Sequence, residues 1–233
     1  MPKYHALIPA AGSGSRMSGE MPKQYLMLHD RPLLYHAVER LLSHPQIGHV
    51  LIVLAPGDQR FTVIDWGPYS QRIAPLYCGG ATRAASVFNG LLVASDAIDA
   101  DDWVMVHDAA RPCLAAAALA RLVETLQDDE TGGLLAMPVV DTLKRADSGE
   151  RVTETVPRDA LWRAQTPQMF RYGVLLEALR NADLRHTTDE AHAVERLGLK
   201  PRLVLGDERN LKVTYPEDLR LAELMLESLG KQE

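Results

Sequence analysis

A glycine-rich loop directly after an apolar run is the feature that most constrains this chain. Residues 4–8 read Y-H-A-L-I, typical of a buried strand, and residues 9–24 read P-A-A-G-S-G-S-R-M-S-G-E-M-P-K-Q. Small residues let backbone N–H groups approach an anion closely, and Arg16 and Lys23 bring two positive charges to the same loop. The loop therefore predicts a polyphosphate site at the end of the first strand.

Neither of the two commonest phosphate-binding loops fits this segment. A Walker loop ends in Gly-Lys-Ser/Thr, whereas Glu20 follows the last glycine here. The dinucleotide fingerprint fails because Met17 stands where its third glycine or alanine belongs, and Pro22 argues against an immediate long helix. What is left is G-x-G-x-R-M followed by P-K-Q. This pattern resembles the signature loop of nucleotidyltransferases that act on nucleoside triphosphates.

Short apolar runs alternate with helical patterns along the chain, which predicts an α/β fold with a mostly parallel sheet and helices on both faces. The predicted strands are 4–8, 50–54, 74–77, 103–106 and 133–137, and the predicted helices are 33–42, 87–92 and 114–126. Ligands of such sheets collect beyond the carboxyl ends of the strands. Loops 9–24, 78–83 and 107–112 leave strand ends at that edge, so we expect them to meet.

Composition narrows the class of protein without naming the chemistry. With 233 residues, of which 46% are hydrophobic, the chain suits one large domain or one domain with an appendage, and we assign residues 1–233 to a single domain. A net charge of −6 argues against a nucleic-acid surface. The two cysteines, Cys78 and Cys113, lack metal-ligand spacing. No apolar run approaches the ~20 residues of a membrane span, and no signal-type segment precedes the first strand. We therefore expect a cytoplasmic protein without a membrane partner.

The pattern changes at residues 138–160, which we interpret as a β-hairpin arm. Residues 139–145 and 151–156 are rich in β-forming residues, and 146–150 have a turn composition. A two-stranded ribbon is marginally stable by itself, so the arm is expected to pack against a second subunit. Farther on, Thr187 and Thr214 each stand three residues before a glutamate. This spacing predicts two helix capping boxes.

Single residues near the predicted sheet edge leave alternatives open. Asp108 follows a strand and would suit a magnesium ligand among cationic phosphate contacts, but a turn or helix-capping aspartate fits equally well. His107 reads as structural, because the histidines show no paired ligand spacing. Arg111, Arg158 and Lys212 are unremarkable charges taken one at a time. A serine hydrolase is poorly supported, since no Gly-x-Ser-x-Gly elbow follows a strand.

Taken together, the motifs resemble those of the 2-C-methyl-D-erythritol 4-phosphate cytidylyltransferases over nearly the whole chain. The shared motifs are the loop at 9–24, G-G-x-x-R-x-x-S-V at 79–87, V-H-D-A-A-R-P at 106–112, D-T-L-K-R at 141–145, T-P-Q at 166–168, T-D-E-A at 188–191 and N-L-K-V-T at 210–214. The resemblance implies a Rossmann-like nucleotidyltransferase fold, a homodimer clasped by exchanged arms, and a step of the non-mevalonate isoprenoid pathway. The chain departs from the family at Ala81, where an acidic residue is common.

The resemblance also implies roles for individual residues. Arg16, Lys23 and Lys212 would act on the phosphates of CTP as catalytic cations, and Asp108 would hold Mg²⁺ as the cofactor. The implied cytidine contacts are Ala10, Ala11, Gly12, Gly14, Gly80 and Ser86. The sugar-alcohol phosphate acceptor would contact Arg111, Thr142, Arg158 and Thr166, with Thr142 and Arg158 supplied by the partner's arm.

Two other functions stay open from sequence. A ribitol 5-phosphate or other pentitol-phosphate cytidylyltransferase resembles this family in nearly every nucleotide-side motif. A catalytically silent nucleotide-binding regulator could share the fold. The presence of Arg16, Lys23, Asp108 and Lys212 together argues against the silent protein, because a pure binder gains little from cations aimed at a transition state.

Overall fold

Strands and helices alternate through the described residues, 2–12 and 21–230, of this computed structural model. The strands are β1 (Tyr4–Pro9), β2 (Met27–Leu28), β3 (Arg31–Pro32), β4 (Ile47–Val53), β5 (Ile73–Leu76), β6 (Trp103–Val106), β7 (Gly133–Pro138), β8 (Leu143–Ala146), β9 (Val152–Val156), β10 (Trp162–Arg171) and β11 (Arg202–Leu205). The α-helices are α1 (Leu33–Leu42), α2 (Arg83–Val93), α3 (Ala116–Leu126), α4 (Tyr172–Asn181), α5 (Glu190–Glu195) and α6 (Pro216–Leu229). Short 3₁₀ turns cover Lys23–Tyr25, Phe61–Val63 and Gly67–Arg72.

The central sheet has seven strands in the order β11-β7-β10-β6-β1-β4-β5. Its neighbouring strands are parallel except where β10 runs antiparallel to both β6 and β7. The predicted mostly parallel sheet is confirmed, and the five predicted strands correspond to β1, β4, β5, β6 and β7. Strands β10 and β11 and helix α4 were not predicted. Pro167 lies inside β10, and the pairing with β7 is interrupted between Ala164 and Gln168, so no ladder bond is required of the proline.

Both faces of the sheet are buried, as parallel sheets require. On β1, Ala6 and Ile8 belong to an apolar cluster with residues of α1, α3 and α6. Leu7, between them in sequence, belongs to a second cluster with residues of α2, α4 and α5. This alternation is the period of two expected of a strand covered on both sides. Within the described residues, none of the helices is long and apolar enough to cross a membrane.

The predicted hairpin is present and stands apart from the central sheet. Strands β8 and β9 pair antiparallel as a separate two-stranded sheet. Asp147 orders the turn between them, because its Oδ1 accepts from the N–H groups of Gly149 and Arg151 at 2.9 and 3.0 Å. The hairpin leaves from the carboxyl end of β7 and returns into β10, which starts at that same edge because it runs the opposite way. We call residues 138–160 the arm.

Both predicted capping boxes are wrong in position. Helix α5 is capped by Asp189, whose Oδ1 accepts from the N–H of His192 at 3.0 Å, while the Thr187 hydroxyl donates to a carbonyl upstream. Helix α6 begins after Tyr215, and Asp218 Oδ2 accepts from the N–H groups of Thr214 and Tyr215. Asp189 and Asp218 therefore make the capping contacts at neighbouring positions, so spacing alone does not identify the capping residue.

Candidate active site

A cavity of about 670 Å³ opens at the carboxyl edge of the parallel strands. Its volume is in the range of small-ligand sites, which run from ~300 to ~1,000 Å³. The described lining residues are Pro9, Ala10, Ala11, Gly12, Lys23, Gln24, Gly80, Ala81, Thr82, Arg83, Ser86, Asp108, Ala109, Ala110, Lys212 and Thr214. The three loops predicted to meet therefore do meet, together with the segment that precedes α6.

The first loop contributes backbone and one lysine to the cavity. Ala10, Ala11 and Gly12 line it, and the Gln24 side chain fixes this turn by donating to the Ala10 carbonyl at 2.7 Å. Lys23 Nζ donates to the Val213 carbonyl at 2.9 Å, which places its charge beside the 210–214 segment. Two predicted site residues of this loop, Gly14 and Arg16, lie outside the described residues.

The second loop contributes small residues to the lining of the cavity. The Gly80 N–H donates to Ser86 Oγ at 3.0 Å, and Ser86 Oγ donates to the Thr82 carbonyl at 3.0 Å. The Thr82 hydroxyl oxygen caps α2 by accepting from the Ala85 N–H. A Cβ at position 80 would stand 2.6 Å from the Ala85 Cβ, so this close turn requires glycine. The predicted nucleotide residues Gly80 and Ser86 thus form one hydrogen-bonded unit.

Asp108 is surrounded by cations at the floor of the cavity. Its Oδ1 accepts from Arg83 Nε at 2.8 Å, its Oδ2 meets Lys212 Nζ at 2.7 Å, and Arg111 Nε lies 3.8 Å away. Burial alone would raise the pKa of Asp108, but the Arg83, Lys212 and Arg111 charges hold it well below its usual range. The carboxylate is therefore ionised at neutral pH.

His107 and Thr166 hold the turn that carries Asp108. The Asp108 N–H donates to Thr166 Oγ1 at 3.0 Å, and Thr166 Oγ1 lies 3.0 Å from His107 Nδ1. His107 Nε2 lies 3.0 Å from the Arg111 carbonyl, which can only accept, so the proton is on Nε2 and the threonine hydroxyl donates to Nδ1. Burial lowers the pKa of His107 to about 4. The ring is neutral and structural, as predicted.

The residues predicted for the acceptor fall into two groups. Thr166 and Arg111 are near Asp108 but turned into the protein: Thr166 is 5% exposed, and Arg111 Nη1 donates to the Asn210 carbonyl. Thr142 and Arg158 are exposed on the arm, and neither lines the described cavity of its own chain. Arg158 Nη1 donates to the Val140 carbonyl. Their roles toward the acceptor stay predictions.

Two charged residues of the site received no role from sequence. Arg83 lines the cavity and pairs through Nη1 and Nη2 with both carboxylate oxygens of Glu190, at 2.6 and 3.0 Å. Burial alone would lower the pKa of Arg83, but Glu190 and Asp108 raise it. Both residues stand inside shared motifs, but nothing in those motifs shows that residues so distant in sequence touch.

The donor set fits a magnesium ion held mainly by substrate. Asp108 is the one carboxylate that lines the described cavity, and no group of three or more His, Cys, Asp or Glu that could hold a metal occurs among the described residues. Mg²⁺ commonly takes one or two carboxylates and completes its shell with phosphate oxygens and water. An ionised Asp108 lining the cavity fits the role of the protein carboxylate in such a coordination shell.

The comparisons with known proteins cover almost the whole chain. Residues 4–228 match the family model described as IspD, 2-C-methyl-D-erythritol 4-phosphate cytidylyltransferase. Proteins of that name from Nitrosospira multiformis and Laribacter hongkongensis are 55% and 58% identical, over 98% and 99% of this chain and 99% and 100% of theirs.

Solved structures agree with the family match. A structure of 4-diphosphocytidyl-2C-methyl-D-erythritol synthase aligns with a TM-score of 0.85 at 40% identity, covering 97% of this chain and 99% of that one. The cytidylyltransferase of Thermus thermophilus aligns with a TM-score of 0.78 at 33% identity, with the same coverage of 97% and 99%. The chain therefore belongs to the 2-C-methyl-D-erythritol 4-phosphate cytidylyltransferase family.

Proposed function

We propose that this chain transfers a cytidylyl group from CTP to 2-C-methyl-D-erythritol 4-phosphate, which yields 4-diphosphocytidyl-2-C-methyl-D-erythritol and pyrophosphate for isoprenoid biosynthesis. The observation that carries the proposal is the cavity at the sheet edge, where Lys23, Lys212 and Asp108 lie beside two glycine-containing turns. The names of the relatives supply the identity of the two substrates.

The reaction brings two polyanions together, so charge repulsion is the barrier that the site must lower. A phosphate oxygen of the acceptor attacks the α-phosphorus of CTP in line. The bond between that phosphorus and the oxygen bridging to the β-phosphorus breaks, and pyrophosphate leaves with the electron pair. No covalent protein nucleophile is needed. Positioning and fixed cations account for catalysis of this kind.

The cations of the cavity suit this task. Lys23, Arg83 and Lys212 line it together with one carboxylate, which leaves a positive excess in a chain whose net charge is −6. Lys23 would contact the triphosphate, with Arg16 as its expected companion. Lys212 would exchange Asp108 Oδ2 for an α-phosphate oxygen and stabilise the charge that develops there. Mg²⁺, bound by Asp108 and the triphosphate, would neutralise part of the phosphate charge.

The small lining residues of the first two loops suit a small base. Ala11, Gly80, Ala81 and Ser86 carry short side chains, and Gly80 is fixed by its hydrogen bond to Ser86. A close-fitting wall of small residues favours a pyrimidine over a purine by shape. Because Ala81 offers no polar side-chain atom, reading of the cytosine edge would rely on backbone groups.

The arm would complete the acceptor site of a second copy of the chain. Its strands pair only with each other among the described strands, and it carries exposed apolar side chains at Val140 and Val152. Thr142 and Arg158 lie on this arm and do not line their own chain's cavity. A homodimer with exchanged arms would bring both residues to the partner's CTP. The cytoplasm, where CTP is made, stays the expected location.

A pyrophosphate-release assay with CTP and Mg²⁺ tests the function directly. We expect rapid release with 2-C-methyl-D-erythritol 4-phosphate, little with ribitol 5-phosphate, and poor use of ATP or GTP in place of CTP. Faster turnover of ribitol 5-phosphate would favour the pentitol-phosphate enzyme. CTP binding without release from either acceptor would favour the silent nucleotide-binding protein.

A further inference from the structure

Arg83 lines the cavity and forms an ion pair with Glu190, which does not line it. Glu190 is fully buried, and both of its carboxylate oxygens accept from the Arg83 guanidinium. The third nitrogen of that guanidinium, Nε, donates to Asp108 Oδ1 at 2.8 Å. One arginine thus connects the first turn of α5 to the carboxylate that faces the cavity.

Independent contacts fix the helix that carries Glu190. Gln168 of β10 donates to Asp189 Oδ2 at 2.9 Å and accepts from the Ala191 N–H at 2.8 Å, so it holds residues on both sides of Glu190. Gln168 is 1% exposed. The Thr82 hydroxyl, next to Arg83, donates to the Leu184 carbonyl at 2.8 Å. The Glu190 end of the ion pair is therefore anchored to β10, and the Arg83 end to the loop between α4 and α5.

Glu190 limits how Arg83 can approach Asp108. A free guanidinium pairs with a carboxylate through two parallel N–H donors, the geometry that guanidinium and carboxylate prefer. In this structure Glu190 accepts from both terminal nitrogens of Arg83, and Asp108 Oδ1 accepts from Nε alone. Its Oδ2 is left for Lys212, at 2.7 Å on the cavity side.

We propose that Glu190 is a positioning residue, which holds Arg83 so that Asp108 keeps Oδ2 directed at Lys212 and the cavity. Without Glu190, the terminal nitrogens of Arg83 would turn to Asp108, the one carboxylate lining the described cavity, and displace Lys212 from it. The inference rests on the proposed function, in which Asp108 and Lys212 serve CTP, and it adds the device that orients them. It also explains why the T-D-E-A motif at 188–191 contains a buried carboxylate.

The test measures kcat/KM for CTP in Glu190→Gln, in the wild-type and Asp108→Asn backgrounds. Glutamine keeps the size of the side chain and removes the charge. We expect a loss of roughly ten- to hundredfold in the wild-type background, the usual effect of losing an outer-shell partner. In the Asp108→Asn background the same substitution should cost less than about threefold, because residues that act through one another are not additive.

Glu195→Gln is the matched control. It makes the same change of charge on the same helix, at an exposed glutamate outside the Arg83 pair. We expect a wild-type Tm and a kcat/KM within about threefold of wild type. If Glu195→Gln lost as much kcat/KM as Glu190→Gln, the effect would come from the charge of helix α5 as a whole, and the positioning role would be refuted.

Arg83→Met/Glu190→Met covers the case in which Glu190→Gln does not fold. Replacing both members of a buried pair with apolar side chains is often tolerated, whereas breaking the pair is not. We expect this variant to fold with a Tm near wild type and still to lose kcat/KM roughly tenfold or more. Recovery of wild-type kcat/KM together with Tm would mean that the pair is structural only.

The outcomes separate this inference from the proposed function. If Asp108→Asn lowers kcat/KM for CTP and Glu190→Gln does not, the positioning role is refuted while the CTP site stands. An equal loss from Glu190→Gln in both backgrounds would mean that it acts by another route, which also refutes the proposal. If Asp108→Asn itself kept wild-type kcat/KM, the role of Asp108 would be wrong and the positioning role would fall with it.

Discussion

At the residue scale, the partner that each charged side chain meets decides what it can do. Lys212 and Arg83 both line the cavity and contact Asp108, but Lys212 pairs with Oδ2, whereas Arg83 pairs with Oδ1 and also with the buried Glu190. The predicted cavity residues Ala10, Ala11, Gly12, Gly80, Ser86 and Lys23 do line it. They follow strand ends, which sequence locates well. The Arg83–Glu190 pair was not foreseen, because a contact between residues 107 positions apart depends on how the helices pack.

Lys23→Ala should lower kcat by roughly a hundred- to thousandfold, the effect of removing one preorganised transition-state donor. Lys23 lines the cavity, and its ammonium bonds the Val213 carbonyl beside Lys212. Steady-state kinetics with CTP and 2-C-methyl-D-erythritol 4-phosphate measure the effect. Lys200→Ala, at an exposed lysine, is the control and should keep wild-type kcat. A near-wild-type kcat for Lys23→Ala would remove it from the catalytic residues.

His107 makes stability depend on pH with a defined sign. Burial lowers its pKa to about 4 in the folded chain, below the ~6.5 of an unfolded histidine. As pH falls, the unfolded chain takes up the proton first, so the free energy of unfolding decreases. Between pH 7.5 and pH 5 this group alone should cost about 2 kcal/mol.

Urea unfolding of the wild type and of His107→Gln at pH 7.5 and pH 5 checks this expected loss of stability. Burial also lowers the pKa values of His5, His36 and His44. Because these histidines are present in both proteins, their contributions to the pH dependence of the free energy of unfolding cancel in the comparison. We expect the wild type to lose about 2 kcal/mol more than the variant. Equal losses in the two proteins would show that His107 does not titrate between the folded and unfolded states as its burial implies.

At the scale of secondary-structure elements, hydrophobic periodicity located strands and helices that form from their local sequence. It missed strands that form only by pairing within the sheet. Apolar runs located the parallel strands β1, β4, β5, β6 and β7 but not β11, together with α1, α2 and α3, and turn composition located the arm. Strand β10 was missed because its polar residues and Pro167 read as a loop, and only pairing with β6 and β7 makes it a strand. The caps of α5 and α6 were misplaced by one or two residues, because Asp189 and Asp218 compete with nearby threonines.

Asp218→Ala should destabilise the protein by about 1 kcal/mol, since its carboxylate accepts from the N–H groups of Thr214 and Tyr215 at the start of α6. Glu217→Ala is the matched control: the glutamate is in the same first turn and exposed. Its effect should stay within about 0.5 kcal/mol. Chemical denaturation measures both. Equal effects would mean that the charge near the helix start matters and the capping contact does not.

At the scale of the whole molecule, the account requires two chains for each complete site. The cavity brings Lys23 and Lys212 together within one chain, whereas Thr142 and Arg158 project on the arm. Sequence predicted this division through the family resemblance, because neither residue has local features that mark it. An exchange of arms would depend on the shape of a dimer interface, which the sequence pattern of a single chain does not encode.

Mixed dimers test the shared site. Lys23→Ala and Arg158→Ala homodimers should each be nearly inactive, whereas co-refolded mixtures should regain activity. In a mixed dimer one site is intact and the other carries both lesions. Random mixing makes about half of the dimers mixed, so recovery is at most roughly a quarter of wild-type activity. If mixtures verified to contain heterodimers show no recovery, the model of two independent sites, each combining Lys23 of one chain with Arg158 of the other, is refuted.

The most direct test of the central claim is a crystal structure of the protein with CTP and Mg²⁺. The account predicts the triphosphate against Lys23 and Lys212, with Asp108 at the metal. The cytosine should lie along the wall formed by Gly80 and Ser86. CTP bound elsewhere, or bound here with Lys212 still on Asp108 and its phosphates directed away from both lysines, would contradict it.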